Sequence, residues 1–127
     1  MIKIIAIIGK AGSGKDTILN RIFTLYSTYF HKIISCTSRP PREKEVEGRD
    51  YYFYIKEHFL DKINNDEMLE YTEFNNWLYG TSLDSVSKDK INIGVFNPQG
   101  IENLLKNNNI DLKIIYVRAS AKERLLR

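Results

Sequence analysis

One cysteine, Cys36, stands alone among 127 residues, so no disulfide can close within the chain and nothing argues for secretion. No apolar stretch approaches the roughly 20 residues that a membrane helix needs. The hydrophobic N-terminus, residues 1–8, resembles a short signal-peptide core but runs straight into Gly9-Lys10 with no small-residue cleavage pattern, which reads as a buried strand. Charge of one sign is not concentrated either: 19 Lys and Arg face 16 Asp and Glu for a net +3, dispersed along the chain, which argues against a nucleic-acid partner. No internal repeat and no linker is visible. What remains is an ordinary globular composition, 43% hydrophobic and 28% charged, in a length that suits one domain, residues 1–127, with a modest core. A cytoplasmic protein without a membrane partner is expected.

The apolar residues that are present alternate between two periods. Ile2–Ile8 is nearly unbroken and rich in β-branched residues, as in a parallel-sheet strand covered on both faces. Residues 16–29 carry Ile18, Leu19, Ile22, Phe23, Leu25 and Tyr26 at helical spacing. Residues 31–36 read as a second short strand, and 37–50, broken by Pro40, Pro41 and Gly48, as a loop. Residues 51–55 are aromatic and β-prone. A short helix is expected over 57–63, a strand over Met68–Phe74, a turn or short strand over 77–80, and another helix over 82–87. A core strand follows at 91–96. Pro98 then opens a helix to about residue 106, which the Asn107-Asn108-Asn109 run ends. A last core strand covers 112–117, and a helix starts at 121–127. Such alternation predicts an α/β fold: a parallel sheet flanked by helices, formed by 1–36 and 91–127, with a small mixed α+β insertion over about 37–90.

Between the first strand and the first helix lies Gly9-Lys10-Ala11-Gly12-Ser13-Gly14-Lys15-Asp16-Thr17, a match to G-x-x-x-x-G-K in the strand–loop–helix context that the motif requires. Its glycines let successive backbone N–H groups turn inward on phosphate oxygens, and the helix adds its positive end. Lys15 is a mobile cation for the β- and γ-phosphates. The usual magnesium-binding hydroxyl position holds Asp16, with Thr17 one residue later, so Thr17 is only a weak candidate for the metal.

Residues 35–51, Ser-Cys-Thr-Ser-Arg-Pro-Pro-Arg-Glu-Lys-Glu-Val-Glu-Gly-Arg-Asp-Tyr, resemble the guanylate kinase signature, T-[TS]-R-x-P-R followed by G-E-x-x-G-x-D-Y, with Lys44 where the pattern has glycine. The resemblance continues through Met68–Phe74 and through Leu78-Tyr79-Gly80-Thr81, which matches Y-Y-G-[ST]. It implies a P-loop monophosphate kinase using ATP with Mg²⁺, and GMP or dGMP as acceptor. Arg39, Arg42, Tyr51 and Tyr79 then grip the acceptor phosphate; guanidinium suits this, being planar, permanently charged and bidentate. Glu70 accepts from guanine N1 and its 2-amino group, and Ser35 and Thr81 present hydroxyls to the base. Lys15, Arg39 and Arg42 are the expected catalytic cations.

Two departures bear on activity. The family's strand before its Q-G turn ends in D-x-D; here Val95 and Asn97 stand in those places, before Pro98-Gln99-Gly100. The family also continues past the segment matching 114–127 into an arginine-rich lid that these 127 residues lack. A nucleotide-binding module with little turnover is therefore the alternative expectation. A general P-loop ATPase finds no Walker-B carboxylate at the strand ends Cys36, Asn97 and Arg118.

Overall fold

A computed structural model describes residues 1–9 and 15–117, with Lys15 and Asp16 described by backbone alone. Four strands form a fully parallel sheet: β1 (Ile2–Ile8), β2 (Phe30–Lys32), β7 (Ile91–Val95) and β8 (Ile110–Tyr116), in the order β2-β7-β1-β8. The register pairs Ile4 of β1 with Asn92 on one side and Leu112 on the other. Since side chains alternate along a strand, β1 serves two cores. Ile4 and Ala6 pack with Ile33, Phe96 and Ile110 beneath α3 (Pro98–Leu105), which contributes Ile101 and Leu104. Ile7 faces the other way with Ile93 and Val117, against Leu19, Ile22 and Phe23 of α1 (Lys15–Tyr26). A nearly continuous apolar strand is what a sheet covered on both faces needs.

The second sheet is mixed, ordered β4-β3-β6-β5, from β3 (Cys36–Thr37), β4 (Tyr52–Phe53), β5 (Met68–Phe74) and β6 (Trp77–Ser82). Helix α2 (Lys56–Asn64) covers it through Phe59, which is fully buried against Cys36 and Leu78. β5 and β6 form a hairpin whose two turn residues, Asn75 and Asn76, have φ of 52° and 69°. Two successive left-handed residues are the geometry of a type I′ turn, which asparagine tolerates better than most residues. A bulge lies between Met68 and Glu70. It lets Leu69 reach the α3 core while Glu70, one residue on, lines the cavity described below. Asn103 of α3 donates to the Tyr71 carbonyl at 2.9 Å and satisfies the outer edge of β5.

Four expectations are corrected. The single strand expected over 31–36 is two strands in different sheets: β2 pairs with β7, whereas Cys36 and Thr37 pair with Tyr52, Phe53, Gly80 and Tyr79. The chain changes sheet over 33–35, which an apolar run cannot reveal. The helix expected over 82–87 is a single 3₁₀ turn, Leu83–Ser85; the Ser82 hydroxyl caps the Asp84 N–H, and Val86 is already extended. The first helix stops at Tyr26, three residues short, and β8 starts two residues early, at Ile110. The helix expected over 121–127 lies outside the described residues. No helix among the described residues is long and apolar enough to cross a membrane.

Candidate nucleotide-binding site

β1 ends at Ile8 and α1 starts at Lys15, so the glycine-rich segment occupies the connection at the carboxyl edge of the parallel sheet. That edge is where open α/β sheets bind ligands. Lys10, Ala11, Gly12, Ser13 and Gly14 lie outside the described residues. Gly9 follows the strand, Lys15 and Asp16 open the helix, and Thr17 is exposed in its first turn.

Ser35, Arg42, Tyr51, Glu70 and Tyr79 line one cavity of about 370 Å³, with Thr72, Phe74, Val95, Phe96, Asn97 and Gly100. It lies between the second sheet and the end of β7. A neighbouring cavity of about 470 Å³ shares Ser35, Tyr51 and Val95 and extends to Leu19 and Asn20 of α1. The acceptor candidates thus adjoin the helix that follows the glycine-rich segment.

Arg39 is not among the lining residues. Its side chain is only 7% exposed and its guanidinium grips Glu45 through two parallel hydrogen bonds, 2.8 and 3.0 Å. A third goes to the Pro40 carbonyl at 3.0 Å, while Nε is buried without a partner among the described residues. The Glu45 carboxylate raises the Arg39 pKa further, with Tyr79 adding a hydrogen bond. In return Arg39, then the Arg42 backbone N–H, hold Glu45 down at about 2. The guanidinium also sits 5.3 Å from the Tyr51 ring centre, and Tyr51 meets Tyr79 edge-on at 6.1 Å. Arg39, Tyr51 and Tyr79 are therefore one cluster, behind the more exposed Arg42.

Thr37 and Ser38 fix this loop. The Thr37 hydroxyl donates to Leu78 O at 2.8 Å and accepts from Arg39 N at 3.1 Å, and the Ser38 hydroxyl accepts from Leu78 N at 2.9 Å. The arginine loop is thereby stitched to β6, the strand that supplies Tyr79 and Thr81.

At the cavity's inner end the buried Thr81 hydroxyl donates to Glu70 Oε1 at 2.9 Å. Burial pushes the Glu70 carboxyl up to about 7, partly opposed by that hydrogen bond. Thr81 thus acts on Glu70 instead of lining the cavity itself. Alternation along β5 brings Thr72 and Phe74 to the same face as Glu70. Sequence reasoning named neither; two-residue spacing from Glu70 was the available signal. It also passed over Glu45, whose place in the signature carried no assigned role, and Thr37 and Ser38.

No cluster of three His, Cys, Asp or Glu side chains suited to a metal exists among the described residues. Magnesium does not require one: it is held through substrate phosphates and water with one or two protein ligands. An exposed Thr17 in the first turn of α1 is compatible with that mode.

The guanylate kinase family model matches residues 1–127. The chain belongs to the guanylate kinase family. Among curated relatives, the guanylate kinase of Bacillus anthracis is 42% identical over 67% of this chain and 42% of its own length. That of Chlamydia muridarum is 33% identical over 98% of this chain and 62% of its own. Among solved structures, guanylate kinase from Anaplasma phagocytophilum superposes with a TM-score of 0.70 at 28% identity, covering 91% of this chain and 59% of that one. The chain therefore spans only part of the length of the guanylate kinases it matches.

Proposed function

We propose that this chain binds the two nucleotides of a guanylate kinase reaction and transfers the γ-phosphoryl group of ATP to GMP or dGMP. The reading rests chiefly on one observation: a cavity at the carboxyl edge of the parallel sheet with a buried carboxylate, Glu70, at one end and Arg42, Tyr51 and Tyr79 elsewhere on its wall. Those are the groups that a base bearing two adjacent N–H donors and a phosphate dianion require. Gly9–Thr17 serves the donor phosphates, with Lys15 as the mobile cation. Ionised Glu70 accepts from N1 and the 2-amino group, the Ser35 hydroxyl meets the base, and Thr81 orients the carboxylate. Arg42, with Tyr51 and Tyr79 backed by Arg39, holds the acceptor phosphate so that its oxygen is in line with the γ-phosphorus. Phosphoryl transfer needs little covalent help from the protein, so positioning and neutralisation of charge are its main contributions. Magnesium, held by the ATP phosphates and Thr17, supplies further neutralisation when bound.

A second reading, a module that binds both nucleotides with little turnover, draws support from Val95 and Asn97, which place no carboxylate at the end of β7. A coupled assay of the purified protein with ATP and each nucleoside monophosphate tests both. ADP release with GMP but not AMP or CMP supports the kinase. Binding of GMP and ATP without ADP release supports the module. Failure of GMP to bind removes both.

A further inference from the structure

Two residues beyond Glu70 on β5, Thr72 is half-buried and lines the same cavity. Its hydroxyl makes no hydrogen bond with any described residue, so its O–H is left to donate into the cavity. Side chains two residues apart on one strand share a face and stand roughly 7 Å apart. The ladder sets Glu70 opposite Thr81 and Thr72 opposite Tyr79. Thr72 therefore shares a rung with a phenol assigned to the acceptor phosphate, one rung from the carboxylate assigned to the base.

Under the proposed function Glu70 accepts from guanine N1 and the 2-amino group. Its two oxygens carry enough lone pairs to do so while Oε1 also accepts from the Thr81 hydroxyl. The 6-oxo group, an acceptor next to N1–H, then needs a donor. In the anti form of a purine 5′-nucleotide, the phosphate lies on the N7 side of the base and the ribose hydroxyls on the N3 side. The path from Glu70 to Tyr79 thus follows the edge that carries O6 and N7, and Thr72 borders that path. Building on the proposed function, we infer that Thr72 is a further base-reading residue, its hydroxyl donating to the 6-oxo group of the acceptor purine. Along this edge guanine presents an acceptor and then a donor, O6 and N1–H; Thr72 and Glu70 answer with a donor and then an acceptor. Glu70 rejects a base without N1–H, and Thr72 keeps the 6-oxo oxygen from being enclosed unmet.

The test removes the hydroxyl and, separately, the oxygen that it meets. GMP, 6-thio-GMP and 7-deaza-GMP are titrated calorimetrically into the wild-type protein, Thr72→Val and Thr72→Ser, with thermal melts confirming that each is folded. Sulfur at position 6 accepts weakly but leaves N1–H and the 2-amino group in place. Thr72→Val should weaken GMP and 7-deaza-GMP about fivefold or more, the scale of one hydrogen bond left unmade, and 6-thio-GMP much less. Thr72→Ser keeps the hydroxyl and should bind GMP nearly as the wild type does. Equal weakening of all three ligands by valine, or none, assigns the 6-oxo group to another donor such as Ser35; this overturns the inference and leaves the proposed function standing. Loss confined to GMP and 6-thio-GMP moves the Thr72 bond to N7 and overturns the 6-oxo assignment. Should valine unfold the protein, Thr72→Ala supplies the same ratios between ligands. Failure of GMP to bind the wild type removes the proposed function itself, and this inference with it.

Discussion

Arg39 donates two parallel hydrogen bonds to Glu45, at 2.8 and 3.0 Å, and a third to Pro40 O, so most of its donors are engaged before any ligand arrives. Arg42, by contrast, is exposed, lines the cavity and makes no side-chain ion pair among the described residues. The two arginines of one signature are therefore expected to respond differently to substitution. Arg42→Ala should weaken GMP binding about tenfold or more, the scale of one charged hydrogen bond, with melting nearly unchanged. Arg39→Ala should weaken binding and also lower the melting temperature, because it removes the group that anchors Glu45 and the residue 39–45 loop. Calorimetry and thermal melts on both variants check this; equal melts for the two would show that the Arg39–Glu45 pair holds nothing in place.

Glu70 makes acceptor binding depend on pH. Its carboxyl titrates near 7 in the free protein, and only the ionised form accepts from two N–H donors. GMP affinity should therefore fall as pH drops through about 7, by up to about tenfold per unit below it. Affinities measured from pH 5.5 to 8.5 decide this, and a flat profile would place the base elsewhere.

The same shift carries the opposite sign for stability. The folded-state value, about 7, lies above the ordinary 4.5, so between those values the folded protein holds more protons than the unfolded chain. Stability is then lost as pH rises through that window, by about 3 kcal/mol for this one group. Glu70→Gln cannot ionise and keeps an oxygen for Thr81. It should raise the melting temperature at pH 8, change it little at pH 4.5, and abolish the preference for GMP over AMP.

Gly80 lies against the backbone of β5: a methyl group there would be 2.5 Å from Glu70 O, 2.6 Å from Met68 Cε and 3.1 Å from Tyr71 Cα. Gly80→Ala must push the two strands apart, at about 1–3 kcal/mol. Tyr79 and Thr81 flank it and Glu70 pairs with Thr81, so GMP binding should weaken with stability while ATP binding is spared. Denaturant titration and calorimetry on Gly80→Ala give both readouts.

Lys15→Ala should lower ATP affinity about tenfold or more while leaving the unliganded melt unchanged or slightly raised. Lysine at the first position of α1 opposes the positive end of the helix, and alanine is the better helix former. Unchanged ATP binding would remove the donor-site assignment.

The parallel sheet was readable because β1, β7 and α3 carry strong local signals: strands rich in β-branched residues, and an Asn-Pro cap opening the helix. Family motifs located Glu70 and Tyr79, and the structure lines one cavity with both. Where reading failed, the deciding contact was distant in sequence. Cys36 and Thr37 continue an apolar run, yet their partners are Gly80 and Tyr79. Glu45 looked like one charge in a mixed run until its arginine was seen beneath it. The Asn97 amide is a milder case: its cap was legible from Pro98, but its nearness to Glu70 required the fold.

The strand order has a consequence for how the chain is made. β1 is the first strand among the described residues, and both of its neighbours, β7 and β8, are the last of them: Ile4 meets Asn92 on one side and Leu112 on the other. An apolar isoleucine strand therefore leaves the ribosome with no partner until the second sheet has been translated. Closing the parallel sheet means looping that whole sheet out, a contact order that slows folding and prolongs exposure of a sticky edge. The second sheet takes all its strands from Cys36 to Ser82, so it can assemble first. The acceptor half of the cavity thus precedes the sheet it will rest on.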